Sequence, residues 1–139
     1  MTQLEAARKG IITDKMKTAA AAEGVAPEFI RDGIAKGTII ISHNDKTHQH
    51  GIPLAVGAGL RTKVNANIGT SADDTDITKE LEKARVAVKH GADAIMDLST
   101  GGPVDEIRRA IVAETKACIG SVPLYQAATD TVRVKKKAL

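Results

Sequence analysis

From Lys63 onward the chain repeats one order of parts: a short apolar run, a loop of small and polar residues, a helical stripe, and a plain turn before the next run. Lys63 to Ile68 is strand-like, and Gly69 to Asp76 is a polar loop. Ile77, Leu81, Ala84 and Val88 then recur at helical spacing, with Asp76 placed as an N-cap and Gly91 as the stop. Ala94 to Leu98 predicts a second strand and Ser99 to Gly102 a second glycine-rich loop. Pro103 sits where a helix favours its first residue, and Val104, Ile107 and Ile111 mark the next stripe. Cys118 to Val122 predicts a third strand, followed by Pro123, Leu124 and Tyr125. Strands separated by helices pair in parallel, so the expected fold class is α/β, a barrel or an open sheet. No GxGxxG follows the first strand, which disfavours a dinucleotide-binding domain.

The repeat also points to a place. Asn67, Met96 and Tyr125 are 29 and 29 residues apart, each at the exit of a predicted strand. Equal βα units in register would put all three at one height on one rim, and in a barrel that rim is the active-site face. Chance is the plain alternative, since many βα units run to about 30 residues. A whole barrel takes about 250 residues. With three of eight strands visible, the expectation is that these residues are the opening units of a parallel (β/α) barrel. A third strand left unpaired exposes N–H and C=O groups, so the isolated chain is expected to be marginal or associated unless something covers that edge.

The first 60 residues read differently. Leu4 to Arg8 predicts one or two helical turns, and Thr13 caps a helix from Asp14 to Glu23 that Gly24 stops. Pro27 opens a third helix through Phe29, Ile30 and Ile34, closed by Gly37. Thr38 to Ile41 is a short β-branched strand, and Ser42 to Gly59 reads as loops around one short extended piece. The expected organisation is a helical and loop segment over 1–60, then the first βα units over 61–139.

Composition removes several functions. Phe29 and Tyr125 are the only aromatic residues and there is no Trp, so a single-stranded nucleic acid would find almost nothing to stack on. The net charge of +3 is a weak electrostatic footprint, and the run Lys135, Lys136, Lys137 reads as a solvated face or terminus. No stretch approaches the ~18 apolar residues of a membrane span. Met1 to Lys9 carries charge without an apolar block, so no secretory signal is expected. One cysteine, Cys118, fits a reducing compartment. A cytoplasmic protein with neither nucleic-acid nor membrane partners is expected.

Three phrases carry a resemblance: Arg61-Thr62-Lys63-Val64-Asn65-Ala66-Asn67-Ile68-Gly69, Gly91-Ala92-Asp93-Ala94-Ile95-Met96-Asp97-Leu98-Ser99-Thr100-Gly101, and Gly120-Ser121-Val122-Pro123-Leu124-Tyr125-Gln126-Ala127. In this order and at these distances they resemble the phosphomethylpyrimidine synthase (ThiC) family of thiamine biosynthesis. Arg8 to Thr13, Phe29-Ile30-Arg31 and Gly37 to Ile41 resemble its upstream segments, so the likeness covers nearly the whole chain. It implies a (β/α)8 barrel, a homodimer, and rearrangement of aminoimidazole ribotide to hydroxymethylpyrimidine phosphate by radical S-adenosylmethionine chemistry. It implies a [4Fe–4S] cluster, S-adenosylmethionine and a zinc or iron ion as cofactors. It places substrate contacts on Asn67, Met96 and Tyr125. An amide that donates and accepts, a soft thioether wall and a phenol hydroxyl on a flat ring suit a positioning role.

The family's cluster cysteines, in a CxxCxxxxC arrangement, and its metal-binding histidines have no counterpart in residues 1–139. No turnover is expected from these residues alone, and Cys118 at a strand start is expected to be buried. His43, His48 and His50 crowd one loop near Asp45, but the resemblance places no metal ligands there. Asp73, Asp74 and Asp76 precede a helix, where capping is the expected role. Ser99-Thr100-Gly101-Gly102 before a helix is a weaker candidate phosphate cradle. Competing readings are the related 5-hydroxybenzimidazole synthase of anaerobic cobalamin biosynthesis, and a truncated non-catalytic chain that pairs through its open sheet edge.

Overall fold

The computed structural model describes residues 1–131 of the 139, so Lys135, Lys136 and Lys137 lie outside the described residues. The chain divides into two compact units, Met1–Lys63 and Val64–Leu139.

The first unit holds three helices and a two-stranded antiparallel sheet. Helix α1, Gln3–Arg8, opens on a capping box: Thr2 accepts from the Glu5 N–H, and the Glu5 carboxylate accepts from the Thr2 N–H at 2.7 Å. Helix α2, Asp14–Glu23, is capped by Thr13 and ends at Gly24 with φ 69°. Helix α3, Pro27–Lys36, starts on proline and ends at Gly37 with φ 76°. A left-handed residue at each end releases the last carbonyls to the turn N–H groups, which favours glycine there. Strand β1, Ile39–Ser42, pairs with β2, Leu54–Gly57, from Ile39 opposite Gly57 to Ser42 opposite Leu54. Strand β2 is the short extended piece between the loops. Because the chain is nearly free of aromatics, the core is aliphatic and small: Ala6, Met16, Ala19, Ala20, Ile30, Ile34, Ile39 and Ala55 are all buried. A buried ion pair completes the unit. Glu23 holds Lys63 at 2.9 Å with both side chains almost wholly covered, and it also accepts from the Arg61 N–H at 2.9 Å.

The second unit is the α/β part. Strands β3 (Asn65–Ile68), β4 (Ala94–Asp97) and β5 (Cys118–Ser121) form a parallel sheet in the order β3-β4-β5. Helices α4 (Ile77–Lys89) and α5 (Val104–Glu114) connect them, and α6 (Pro123–Thr129) follows β5. Asp76 caps α4 by accepting from the Thr78 N–H at 2.8 Å. Helix α5 begins one residue later than the proline rule suggests, with Pro103 itself at the N-cap. Side chains alternate across the sheet. Ile68, Ile95 and Ile119 pack on Ala84, Ile107 and Ile111 of the helices, so Ala66, Ile68, Ile95, Asp97, Ile119 and Ser121 share the helix-covered face. Asn67, Met96 and Gly120 share the other.

The register corrects one expectation. Asn67 and Met96 are Cα partners, as the 29-residue spacing requires, but the partner of Met96 on β5 is Gly120 rather than Tyr125. The second βα unit is five residues shorter than the first: its loop and its helix each lose two residues and its closing turn one. Tyr125 is therefore past the strand, within α6.

Candidate functional site

Asn67 and Met96 sit side by side on the sheet face away from the helices, each third in its strand. Asn67 is exposed and Met96 half-buried. The Met96 side chain lies across β5: a Cβ placed on Gly120 would be 3.1 Å from Met96 Sδ and 3.0 Å from Cε. Glycine at 120 thus leaves the space that the thioether fills. Tyr125 is 44% exposed on α6, which starts directly beyond the C-terminal end of β5. The structure therefore joins Asn67 and Met96 on one rung and puts Tyr125 beyond the strand ends, on the side where parallel strands feed their loops.

Those loops are fastened to each other. After β3 and β4 end, Leu98 N–H still donates to the Ile68 carbonyl at 2.8 Å, and Thr100 N–H to the Thr70 carbonyl at 2.9 Å. Thr70 N–H donates to Ser99 Oγ at 3.1 Å, and Thr70 Oγ1 donates to the Gly101 carbonyl at 2.7 Å. Thr70 and Ser99 are buried, and burial without partners would cost each polar group about 1–3 kcal/mol. Their mutual bonds remove that cost and fix both loops. From the helix side, Glu80 is 2% exposed and accepts from the Gly69 N–H at 2.8 Å and from the Lys83 ammonium.

A second polar chain runs under the sheet's helix-covered face. Asp97, at the end of β4 and fully buried, accepts from Ser99 N–H at 3.0 Å and from Arg108 Nε at 3.0 Å. Arg108 Nη1 donates to Gln126 Oε1 at 2.8 Å, and Gln126 Nε2 donates to Asp105 Oδ1 at 2.9 Å. Sequence reasoning assigns no role to Glu80, Asp97, Arg108 or Gln126, Asp97 and Gln126 standing there only within the phrases that carry the resemblance. The available cue was position. Glu80 falls four residues before Ala84 on the α4 stripe, and Asp97 falls two after Ile95 on the covered side of β4.

Most of the other sequence candidates have local partners. His43 Nε2 lies 3.0 Å from the Gly51 carbonyl and Nδ1 3.0 Å from Asp45, whose carboxyl the Lys15 ammonium, and less strongly His43, hold below its usual range. His48 and His50 meet edge to face with centroids 4.7 Å apart. Asp74 accepts from Lys79 and from the Asp76 N–H, and both lower its pKa. Asp73 N–H donates to Ser71 Oγ. Of the glycine-rich loop, Ser99 is engaged by Thr70, and Thr100 offers its carbonyl to Thr129 at 3.4 Å.

Among the described residues no three His, Cys, Asp or Glu side chains gather closely enough to hold a metal ion. Cys118, the chain's single cysteine, is only half-buried rather than buried as its place at a strand start predicts, because β5 is the edge strand of the sheet. An iron–sulfur cluster takes several thiolates, so residues 1–139 do not fit such a group. Asn67 and Met96 offer an amide and a thioether on one rung, and Tyr125 a phenol on the helix that follows β5: groups that can donate, accept or line a surface.

Comparison with known proteins identifies the family. The Radical SAM ThiC family matches residues 2–139. The chain is 85% identical over 138 residues to the phosphomethylpyrimidine synthase of Geobacter metallireducens, covering 99% of this chain and 31% of that protein. It is 70% identical over 139 residues to phosphomethylpyrimidine synthase 2 of Syntrophotalea carbinolica, covering 100% of this chain and 32% of that protein. The corresponding figures for the Thermococcus kodakarensis phosphomethylpyrimidine synthase are 54%, 100% and 32%. The chain thus spans 31–32% of the length of these curated relatives. A match over 2–139 with identity this high leaves one conclusion: the chain belongs to the Radical SAM ThiC family.

Proposed function

We propose that residues 1–139 are the N-terminal part of a phosphomethylpyrimidine synthase, which converts aminoimidazole ribotide to hydroxymethylpyrimidine phosphate in thiamine biosynthesis. The observation that carries this reading is the 85% identity to a protein of that name, running through the whole sheet and its loops. In this reading β3, β4 and β5 are three staves of a (β/α)8 barrel, and the face bearing Asn67, Met96 and Gly120 looks into it. Asn67 orients the ribotide by its amide, Met96 walls the ring, and Tyr125 offers its hydroxyl to a phosphate or ribose oxygen. A ligand held closely matters in radical chemistry, because a loosely held intermediate reacts elsewhere. The [4Fe–4S] cluster and the zinc or iron ion that the family's chemistry uses, with S-adenosylmethionine, find no set of metal ligands among the described residues. These residues alone are expected to be inactive. The complete enzyme is expected to be a cytoplasmic homodimer.

The test is titration of aminoimidazole ribotide into the complete enzyme carrying this segment, with Asn67→Ala and Tyr125→Phe beside it. Losing one hydrogen bond of about 1.5 kcal/mol weakens binding about tenfold. Unchanged affinity in both variants would remove these residues from the substrate site. A benzimidazole product from the anaerobically reconstituted enzyme would replace the pyrimidine reading altogether.

A further inference from the structure

We propose that Arg108 is the positioning residue for Tyr125, acting through Gln126. The inference rests on the reading above only for what Tyr125 touches.

Helix α6 needs an anchor, because none of its seven residues is buried. Leu124 is 73% exposed and Tyr125 44%. Apolar packing therefore contributes little to where this helix lies. Its described side-chain bonds to the rest of the unit are polar, and they converge on Gln126, the residue next to Tyr125. Gln126 accepts from Arg108 at 2.8 Å and donates to Asp105 at 2.9 Å, so both ends of its amide are used. The remaining tie, Thr129 Oγ1 to the Thr100 carbonyl, is long at 3.4 Å.

Arg108 is itself immobilised. Its Nε donates to the carboxylate of Asp97, whose side chain is wholly buried at the end of β4. Asp97 is fixed in turn by the Ser99 N–H of the adjoining loop. A planar guanidinium held at one nitrogen by a buried carboxylate presents its other nitrogens in set directions, which lysine cannot imitate. Arg108 thus transmits the position of β4, where Met96 lies, to the first turn of α6, where Tyr125 lies. It links two groups that the strand register alone leaves apart.

With one Tyr and no Trp, intrinsic emission of this chain reports on Tyr125 alone. The experiment is iodide quenching of that emission in the 139-residue chain, with far-UV circular dichroism and sedimentation velocity on the same samples; where the chain associates through its β5 edge, amide exchange of the Tyr125 peptide in the complete enzyme replaces the quenching readout. Variants are Gln126→Ala, Arg108→Ala and Arg108→Lys. Gln126→Ala and Arg108→Ala are expected to raise the quenching constant up to about twofold, the ceiling between 44% and full exposure once α6 opens locally. Arg108→Lys, which keeps the charge beside Asp97 but loses the fork, falls between. Unchanged quenching in Gln126→Ala with native dichroism overturns the proposal. If Arg108→Ala fails to fold, Gln126→Ala and Arg108→Lys decide it. Raised quenching together with unaltered ribotide affinity for Tyr125→Phe upholds the anchor and sinks only Tyr125 as a substrate contact.

Discussion

Replacing Gly101 by alanine is the sharpest probe of the fastened loops. An added Cβ would stand 1.9 Å from the Ser71 carbonyl oxygen, 2.2 Å from its carbon and 2.7 Å from the Ala72 nitrogen. All three are backbone atoms, so no side chain can swing aside. Reaching the 3.4 Å at which ordinary contact begins requires the loops to part by about 1.5 Å. The three bonds that Thr70 makes across them, of 2.7, 2.9 and 3.1 Å, do not survive that separation. At about 1 kcal/mol each, the loss is about 3 kcal/mol. Urea unfolding followed by circular dichroism would see the midpoint fall by about 1–3 M, taking slopes of about 1–3 kcal/mol per molar. Gly91→Ala is the control. Gly91 has φ 93° and nothing within 4 Å of an added Cβ, so only backbone strain of about 1–2 kcal/mol applies. A midpoint shift for Gly101→Ala no larger than for Gly91→Ala would refute the claim that the loops are locked by close approach.

Two further expectations follow from other sites. Burial raises the Glu23 carboxyl, but the Lys63 ammonium and the Arg61 N–H outweigh it and leave its pKa below the ordinary 4.5. Its contribution to stability is therefore complete above about pH 4.5 and lost as pH falls through the lowered value, so acid should shift the urea midpoint less in Glu23→Gln than in the parent chain. At Gly120, an added Cβ crowds the flexible end of Met96 at 3.0 and 3.1 Å, with the Ile95 carbonyl oxygen at an ordinary 4.0 Å. Gly120→Val should leave the fold within about 1–3 kcal/mol, while displacing the thioether and lowering ribotide affinity in the complete enzyme; a titration matching the parent's would take Met96 out of the pocket wall.

The sequence carried the α/β alternation because each element announces itself locally. Asp76 before an apolar stripe, Gly24 and Gly37 after one, and β-branched runs bounded by turns are short-range signals. Loop and helix lengths could not be read as closely, and the five residues missing from the second βα unit moved Tyr125 off the rung that the 29-residue spacing assigned it. The hairpin of β1 and β2 was half legible: both extended pieces were visible, but the loop from 43 to 53 hid their pairing. The buried polar residues were the least legible. A charged residue at a covered position looks the same in sequence as an error in the assumed phase of the stripe. Only contacts such as Asp97 with Arg108, 11 residues apart, distinguish the two.

The stitching of the two loops has a consequence for ligand capture. Thr70, Ser99 and Gly101 hold the ends of β3 and β4 in one arrangement before any ligand arrives. The entropy of ordering that edge is lost when the chain folds, not when a small molecule docks. Binding there need not supply the ~0.5–1.5 kcal/mol that each freshly immobilised side chain would otherwise subtract from affinity. Helix α6, with no buried residue and its described ties made by polar side chains, has less of that advantage: under the proposed function, whatever order its phenol lacks before docking is subtracted from affinity there and not at the loop ends.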